Sequence, residues 1–388
     1  MSKGLVMFGT RPEAIKLAPI IRELESRPEF TPVVCVTAQH RQMLDQVLSL
    51  FQIHPQHDLD LMREDQSLAH ITSEALTGLT TVLDKERPDV VLVQGDTTTA
   101  MASALAAYYQ RTPIGHVEAG LRTGDKYNPF PEEINRIFVD HLSDLCFAPT
   151  EQAKENLLQE GIAPGKVHVT GNTVVDALLN TVQHLAKDPS TLRSNGLLDG
   201  LPPWLLQHNW SGPDGRRLVL VTGHRRESFG KDLESICYAL RQIVQRNEDA
   251  EVVYPVHLNP NVREPVHRII GGEERVHLLE PLAYAPFIWL MSQAYLVLTD
   301  SGGIQEEGPT LGIPTLVMRK TTERPEGIDA RTALLVGVET DSIVDAAQRL
   351  LDDQALYKSM ANAHNPFGDG QASRRIADVL HRWLVYDR

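Results

Sequence analysis

Short runs of Val, Ile and Leu, each closed by Gly or a polar residue and followed by an amphipathic stretch, recur along most of the chain. In the first half they are GLVMF (4–8), PVVCVTA (32–38), VVLVQG (90–95), IGHVEA (114–119), LCFAP (145–149) and VHVTG (167–171). Helical patterns such as AIKLAPIIRELES and LAHITSEALTGLTTVLDKE fill most of the gaps. Strands that are apolar without polar alternation are buried on both faces, so the pattern predicts a parallel sheet covered by helices on both sides.

The rhythm stops between about 186 and 215, where Pro, Gly, Asn and Ser appear without a sustained period. It resumes with RLVLVTGH (217–224), EVVYPVH (251–257), RVHLLEP (275–281), AYLVLTD (294–300), IPTLVMR (313–319) and ALLVGV (333–338). A length of 388 residues also fits two domains better than one. The expected fold class is therefore α/β, with two Rossmann-like domains facing each other across a cleft. They span 1–185 and 186–370, and the last helix, 371–388, is a candidate to pack back on the first domain.

Composition narrows the function. The 51 acidic residues outnumber the 37 Lys and Arg, giving a net charge of −14, which disfavours the broad basic footprint of a nucleic-acid binder. A small anionic ligand remains compatible, because a few local cations suffice to fix one phosphate group. No apolar run reaches the ~18 residues of a membrane span. The opening MSKGLVMFGTRPE runs straight into a strand without a signal-peptide core. Cys35, Cys146 and Cys237 lie far apart in apolar segments and suggest buried thiols in a reducing cytoplasm, with neither a disulfide frame nor a zinc site.

The unusual residues gather at the carboxyl ends of the expected strands: Gly9-Thr10-Arg11, Gly95-Asp96, Glu118, Gly223-His224-Arg225-Arg226, His257 and Ser301-Gly302-Gly303. In open α/β sheets the ligand crevice lies at those ends. Ser301-Gly302-Gly303, between a strand and a helix start, suits a diphosphate held by backbone N–H groups, although an isolated S-G-G is more often a tight turn. In GTRPEAIK, Lys16 lies about one helical turn from Arg11, so both cations could serve one anion. His224, Arg225 and Arg226 form a cationic group in an acidic chain, and the alternative is a core histidine beside solvated arginines.

Asp96, Glu118 and Glu132 are the carboxylates that call for explanation. Over 132–145 the residues Ile134, Ile137, Phe138, Leu142 and Leu145 make one helical face, with Glu132 and Arg136 as i,i+4 neighbours on the opposite one. An ordinary surface ion pair is the alternative. No P-loop lysine, G-x-G-x-x-G opening or paired metal spacing is present, so acid–base chemistry on a sugar nucleotide suits the set best. His54, His57, His70, His267 and His277 read as structural or exposed, and Trp204, Trp210, Trp289 and Trp383 as packing residues.

FGTRPEAIK, TAQHRQMLDQVL, VQGDTTTAMASALAA, GHVEAGLRTGD, PEEINR, VTGNTVVDALL, VTGHRRESFG, YPVHLNPNVREPV, LTDSGGIQEE and MRKTTERPE, in that order, closely resemble bacterial non-hydrolysing UDP-N-acetylglucosamine 2-epimerases. The resemblance implies a glycosyltransferase-B-like fold, a cytoplasmic homodimer without a cofactor, and reversible conversion of UDP-GlcNAc to UDP-ManNAc for cell-surface polysaccharide synthesis. It implies elimination of UDP to 2-acetamidoglucal followed by re-addition, within a cleft that closes to retain UDP.

Carried over by position, Asp96, Glu118 and Glu132 are implied as catalytic carboxylates, with Arg136 beside them and His224 at the leaving UDP. Arg11, Lys16, Phe287, Ser301, Gly302, Gly303, Glu307 and Arg324 are implied as UDP contacts, and Glu306, about 100° round the helix from Glu307, reads as structural. A second UDP-GlcNAc acting as an activator would meet Gln39, Gln42, Gln66, Arg225 and His257, although Asp65 replaces an arginine that contributes there in some members. Leu282 stands where some relatives have Gln. A glycosyltransferase of the same fold, a hydrolysing epimerase and a non-catalytic UDP-sugar sensor are the competing readings. The three acids favour the epimerase.

Overall fold

The structure is a computed structural model that describes residues 1–37, 41–61, 66–186, 189–207, 210 and 215–387. At 41–43, 189–191 and 387 the description is of the backbone alone. Gln39 and Asp65 therefore lie outside the described residues, as does the side chain of Gln42.

The chain forms two compact units, Met1–Ala177 with Phe367–Arg388, and Leu178–Pro366. Among the described residues the first holds seven strands: β1 (Ser2–Phe8), β2 (Phe30–Val36), β3 (His57–Asp58), β4 (Val90–Gln94), β5 (Ile114–Val117), β6 (Leu145–Ala148) and β7 (Val167–Val169). They pair in the order β3-β2-β1-β4-β5-β6-β7, all parallel. The described residues of the second form six: β8 (Arg217–Thr222), β9 (Ala250–Pro255), β10 (Val276–Leu279), β11 (Leu296–Thr299), β12 (Thr315–Val317) and β13 (Ala333–Leu335). Their order is β10-β9-β8-β11-β12-β13, again all parallel.

Parallel strands need crossover helices, which bury both faces of a sheet and explain why the central strands are apolar throughout. Val91, Leu92 and Val93 of β4, and Leu218, Val219, Leu220 and Val221 of β8, have no exposed surface. Each sheet reverses its winding once, between β1 and β4 in the first unit and between β8 and β11 in the second. At such a switch point the adjoining loops part to leave a crevice beyond the carboxyl ends of the strands.

Local chemistry sets the entry to the first helix, Arg11–Glu25. Thr10 caps it, Pro12 occupies its first turn, and Glu13 reaches back to the cap in a capping box. Glu13 is buried and accepts the N–H of Gly9 at 3.1 Å and of Thr10 at 2.8 Å, plus the Thr97 hydroxyl at 2.7 Å. One carboxylate thus ties the turn after β1 to the turn after β4.

The described parts of the Pro- and Gly-rich stretch near 186–215 belong to the second unit. Helices Pro189–Ser194 and Pro203–Gln207 form there, Leu198, Leu201 and Leu205 are buried, and Trp210 donates to the Leu205 carbonyl at 3.0 Å. The chain leaves the first unit within helix Thr173–Leu185 and returns just before Phe367. Helix Ala372–Arg382 then packs on Arg11–Glu25, and Asp176 accepts the N–H groups of Ala372 and Ser373 at its start, at 3.2 and 2.8 Å.

Helix Glu132–Leu142 faces opposite to the reading of its apolar residues. Glu133, Asn135, Arg136, Val139 and Asp140 are buried, whereas Ile134 and Phe138 are 47% and 38% exposed. Leu145 belongs to β6 and not to this helix. The helix turns its polar residues inward because they satisfy charged and main-chain groups at the ends of β4 and β5, a demand that outweighs the burial of two apolar side chains.

Candidate active site

In the first unit, polar side chains collect at the ends of β4 and β5. β4 ends at Gln94, Gly95 turns the chain, and Asp96 follows with its side chain 28% exposed. β5 ends at Val117, and Glu118 adopts a left-handed conformation with φ +65°. That backbone costs about 1–2 kcal/mol for a residue with a Cβ, a strain that persists only where the surroundings over-determine it.

The surroundings of Glu118 do so. Its side chain is 4% exposed, and its Oε1 accepts from Lys16 Nζ and from Asn172 Nδ2 at 3.0 Å. Oε2 accepts from Gln94 Nε2 at 2.5 Å and lies 3.9 Å from Arg136 Nη2. Arg136 donates to the Glu118 main-chain carbonyl through Nη1 and to Asp96 Oδ2 through Nη2. Asn135 holds the Asp96 carbonyl at 2.9 Å. Glu132 is half-buried in the first turn of the same helix, one turn from Arg136. Arg11 is half-buried at the start of the helix that carries Lys16.

In the second unit the corresponding group forms at the ends of β8 and β11. Asp300, 1% exposed, follows β11 and accepts the main-chain N–H of both His224 and Arg225 on Oδ2, each at 2.7 Å. Its Oδ1 is buried, has no hydrogen-bond partner among the described residues, and lies 3.6 Å from His224 Nδ1. The His224 ring stacks on His257 with centroids 5.4 Å apart and planes 14° from parallel. Desolvation is the main cause that lowers the pKa of His224; Asp300 opposes the fall, while His257 and Arg225 add to it.

Ser301 donates its N–H to Thr299 Oγ1 at 2.9 Å, and Gly302 follows. A Cβ on Gly302 would stand 3.7 Å from Arg225 Nη2 and 3.8 Å from Glu323 Oε2, so the arginine reaches over this turn. Helix Ile304–Thr310 starts after Gly303. Glu306 is buried and paired with Arg324 Nε at 2.5 Å, and Glu307, next to it, is buried as well. Phe287 is half-buried in helix Tyr284–Ser292. Arg225 and His257, expected at an activator site, here stand with His224. Gln66 lies in the first unit and donates to the Leu61 carbonyl at 3.0 Å.

Sequence reading passed over Gln94, Asn172, Asp300 and Glu323. Gln94 and Asp300 did carry a signal, since each sits at or directly after the carboxyl end of a strand at the switch point. Asn172 and Glu323 carried none. Among the described residues, no group of three His, Cys, Asp or Glu side chains is arranged to hold a metal ion, and no helix is long and apolar enough to cross a membrane.

Two parallel Rossmann-like sheets, each with polar and charged groups massed at its switch point, define an α/β enzyme of the glycosyltransferase-B-like class. A family model described as UDP-N-acetylglucosamine 2-epimerase matches residues 22–381. The chain belongs to that family. It is 54% identical over 378 residues to the UDP-N-acetylglucosamine 2-epimerase of Escherichia coli O157:H7, covering 97% of this chain and 98% of the relative. The crystal structure of UDP-GlcNAc 2-epimerase from Neisseria meningitidis bound to UDP-GlcNAc matches with a TM-score of 0.87 at 47% identity, over 98% of this chain and 100% of the other. The Methanocaldococcus jannaschii enzyme in complex with UDP-GlcNAc and UDP matches with a TM-score of 0.77 at 34% identity, over 98% and 99%.

Proposed function

We propose that the chain interconverts UDP-GlcNAc and UDP-ManNAc by eliminating UDP from the sugar and adding it back. C2 carries an acetamido group and has no carbonyl beside it, so its proton is a poor target for simple removal. In elimination the C2–H pair becomes a C1–C2 double bond as the C1–O bond breaks, and its electrons depart with UDP. UDP then returns to C1 of 2-acetamidoglucal while C2 takes a proton on its other face. No electrons are gained or lost overall, so no redox cofactor is needed.

The observation that carries this reading is the shared guanidinium of Arg136, which holds Asp96 and Glu118 as neighbours. Two carboxylates gathered at one nitrogen of a single cation suit proton removal and proton delivery at a single carbon. Asp96, Glu118 and Glu132 take the acid–base roles. His224, Ser301, Gly302 and Gly303 receive the diphosphate, with Arg11, Lys16, Phe287, Glu307 and Arg324 as further UDP contacts. A histidine whose pKa is lowered, beside Arg225, favours an anion that restores its proton.

The same reading includes a homodimer, a cytoplasmic location and a product used in cell-surface polysaccharide synthesis. Exposed Tyr108, Tyr109, Ile134 and Phe138, on helices that pack side by side, support self-association, and three buried free thiols fit a reducing compartment. A second UDP-GlcNAc acting as activator would draw on Gln39, Gln42, Gln66, Arg225 and His257.

The test is incubation with UDP-GlcNAc alone in D2O, followed by proton NMR. UDP-ManNAc carrying deuterium at C2, formed without acceptor or nicotinamide, is expected. Free ManNAc would point to a hydrolysing enzyme, and an unchanged spectrum would overturn both.

A further inference from the structure

Behind the carboxylates of the first unit, His116 is fully buried on β5, two residues before Glu118. Its Nδ1 lies 2.6 Å from Asp140 Oδ1, and its Nε2 lies 2.8 Å from the main-chain carbonyl of Gly95. A carbonyl oxygen only accepts. Asp140 only accepts too while it is ionised, and its other oxygen takes donors from Arg122 Nη2 at 2.7 Å and Gly120 N at 3.2 Å. Burial works against the charge on Asp140, but His116 and Arg122 outweigh it and hold the carboxyl below its ordinary range. With acceptors on both sides, each ring nitrogen must carry a proton.

We infer that His116 is a positioning residue: as a doubly protonated imidazolium joined to Asp140 and to the Gly95 carbonyl, it fixes the two strand ends from which Asp96 and Glu118 project. The geometry gives each link a purpose. Gly95 directly precedes Asp96, and its carbonyl is oriented by Nε2. Asp140 stands one turn after Arg136 on the same helix, so its bond to Nδ1 sets that helix against β5. Through Oδ2 the same carboxylate also holds Gly120, two residues after Glu118. Arg122 pairs in turn with Glu160 at 2.6 Å, which neutralises the second oxygen's partner.

The charged groups bonded to the ring, directly or in turn, are Asp140 and Arg122. Cys146, its register partner on β6, has its thiol pushed up by burial and adds no charge. A buried imidazolium between two acceptors is costly to form without them and rigid once formed. The carboxylates in front therefore owe their spacing to a cation that touches no substrate.

The inference rests on reading Asp96 and Glu118 as the acid–base pair, and its first test does not depend on that reading. In the full chain labelled with 15N-histidine, both ring nitrogens of His116 are expected at imidazolium shifts in the buffer of the epimerisation assay. In Asp140→Asn one of them is expected to lose its proton. A neutral tautomer in the unaltered chain would overturn the inference, whatever the activity. In the epimerisation assay, His116→Gln and Asp140→Asn are expected to lower kcat about 100-fold with KM and UDP affinity little changed, as displaced reacting groups do. Full kcat in a folded His116→Gln would overturn it as well. If that variant does not fold, the nitrogen shifts of the unaltered chain decide. Failure of the unaltered chain to epimerise would instead overturn the proposed function.

Discussion

Arg136 donates to the Asp96 carboxylate with one terminal nitrogen and to the Glu118 main-chain carbonyl with the other, so a single guanidinium joins the ends of β4 and β5. Lysine has the same charge but no planar fork. Arg136→Lys can satisfy one of these acceptors and leaves the other short of its donor. We expect kcat to fall about 100-fold, the effect of misplacing reacting groups by an ångström, while UDP still binds. Proton NMR of UDP-GlcNAc turnover and calorimetric titration with UDP check the two halves. Lost UDP affinity with normal turnover at saturation would assign Arg136 to binding.

Asp300 makes a different kind of prediction. Its charge is the one contribution that raises the pKa of His224, against desolvation, His257 and Arg225, which lower it. Asp300→Asn keeps an acceptor for the two main-chain N–H groups but removes the charge, so His224 should titrate at a still lower pH. For a histidine lowered in the folded state, the associated stability is present above the unfolded value of about 6.5 and is lost as pH falls through the folded one. An NMR titration of the His224 ring proton in both proteins reads the shift directly. An unchanged or raised midpoint would remove Asp300 from the account of His224.

Glu13 has the opposite sign. Burial raises its carboxyl pKa, and hydrogen bonds from Thr97, Thr10 and Gly9 only partly offset this. A raised carboxyl contributes stability that is present below the unfolded value, about 4.3, and is lost as pH rises through the folded one. Glu13→Gln can still accept both main-chain N–H groups on its oxygen while its amide donates to the Thr97 hydroxyl. We expect it to gain stability relative to the unaltered chain as pH rises through that window. Glu13→Ala instead leaves the amides of Gly9 and Thr10 without an acceptor, at about 1–3 kcal/mol for each buried group. Urea midpoints across pH separate the two variants.

What could be read from residues alone divides along physical lines. Every strand of three residues or more lies at an apolar run, because burial on both faces writes a continuous signal; β3, two residues long, has no such run. Strand ends are less legible. The run at 114–119 reads as strand throughout, yet β5 stops at Val117 because Glu118 is left-handed, a conformation that apolar pattern does not encode. Helix Glu132–Leu142 misleads for a related reason. Ile134 and Phe138 of its apolar stripe point outward because its inward face carries Arg136 and Asp140, and periodicity assumes that the inward face is the greasy one. Asn172 shows the limit: one amide between Gly171 and Thr173 carries no pattern, and only the fold brings it to Glu118.

Two glycines in one loop give the last prediction, since they share a backbone conformation and differ in surroundings. Gly120 has φ +84° and Gly124 has φ +78°, both in the left-handed region. A Cβ at Gly120 would stand 2.2 Å from the Ala153 carbonyl oxygen and 2.8 Å from Leu157 Cγ, against helix Glu151–Gln159. At Gly124 nothing lies within 4 Å of that position. Gly124→Ala should therefore cost only the backbone term, about 1–2 kcal/mol. Gly120→Ala must also push the helix off the loop, which strains the Asn156 bond to the Gly120 carbonyl and the Asp140 bond to its N–H, and through them Glu118 two residues earlier. We expect a clearly larger loss of thermal stability for Gly120→Ala, and loss of turnover in whatever protein remains folded. Equal melting temperatures for the two variants would mean that the helix yields without cost, and that the loop behind Glu118 is not held in the way these contacts describe.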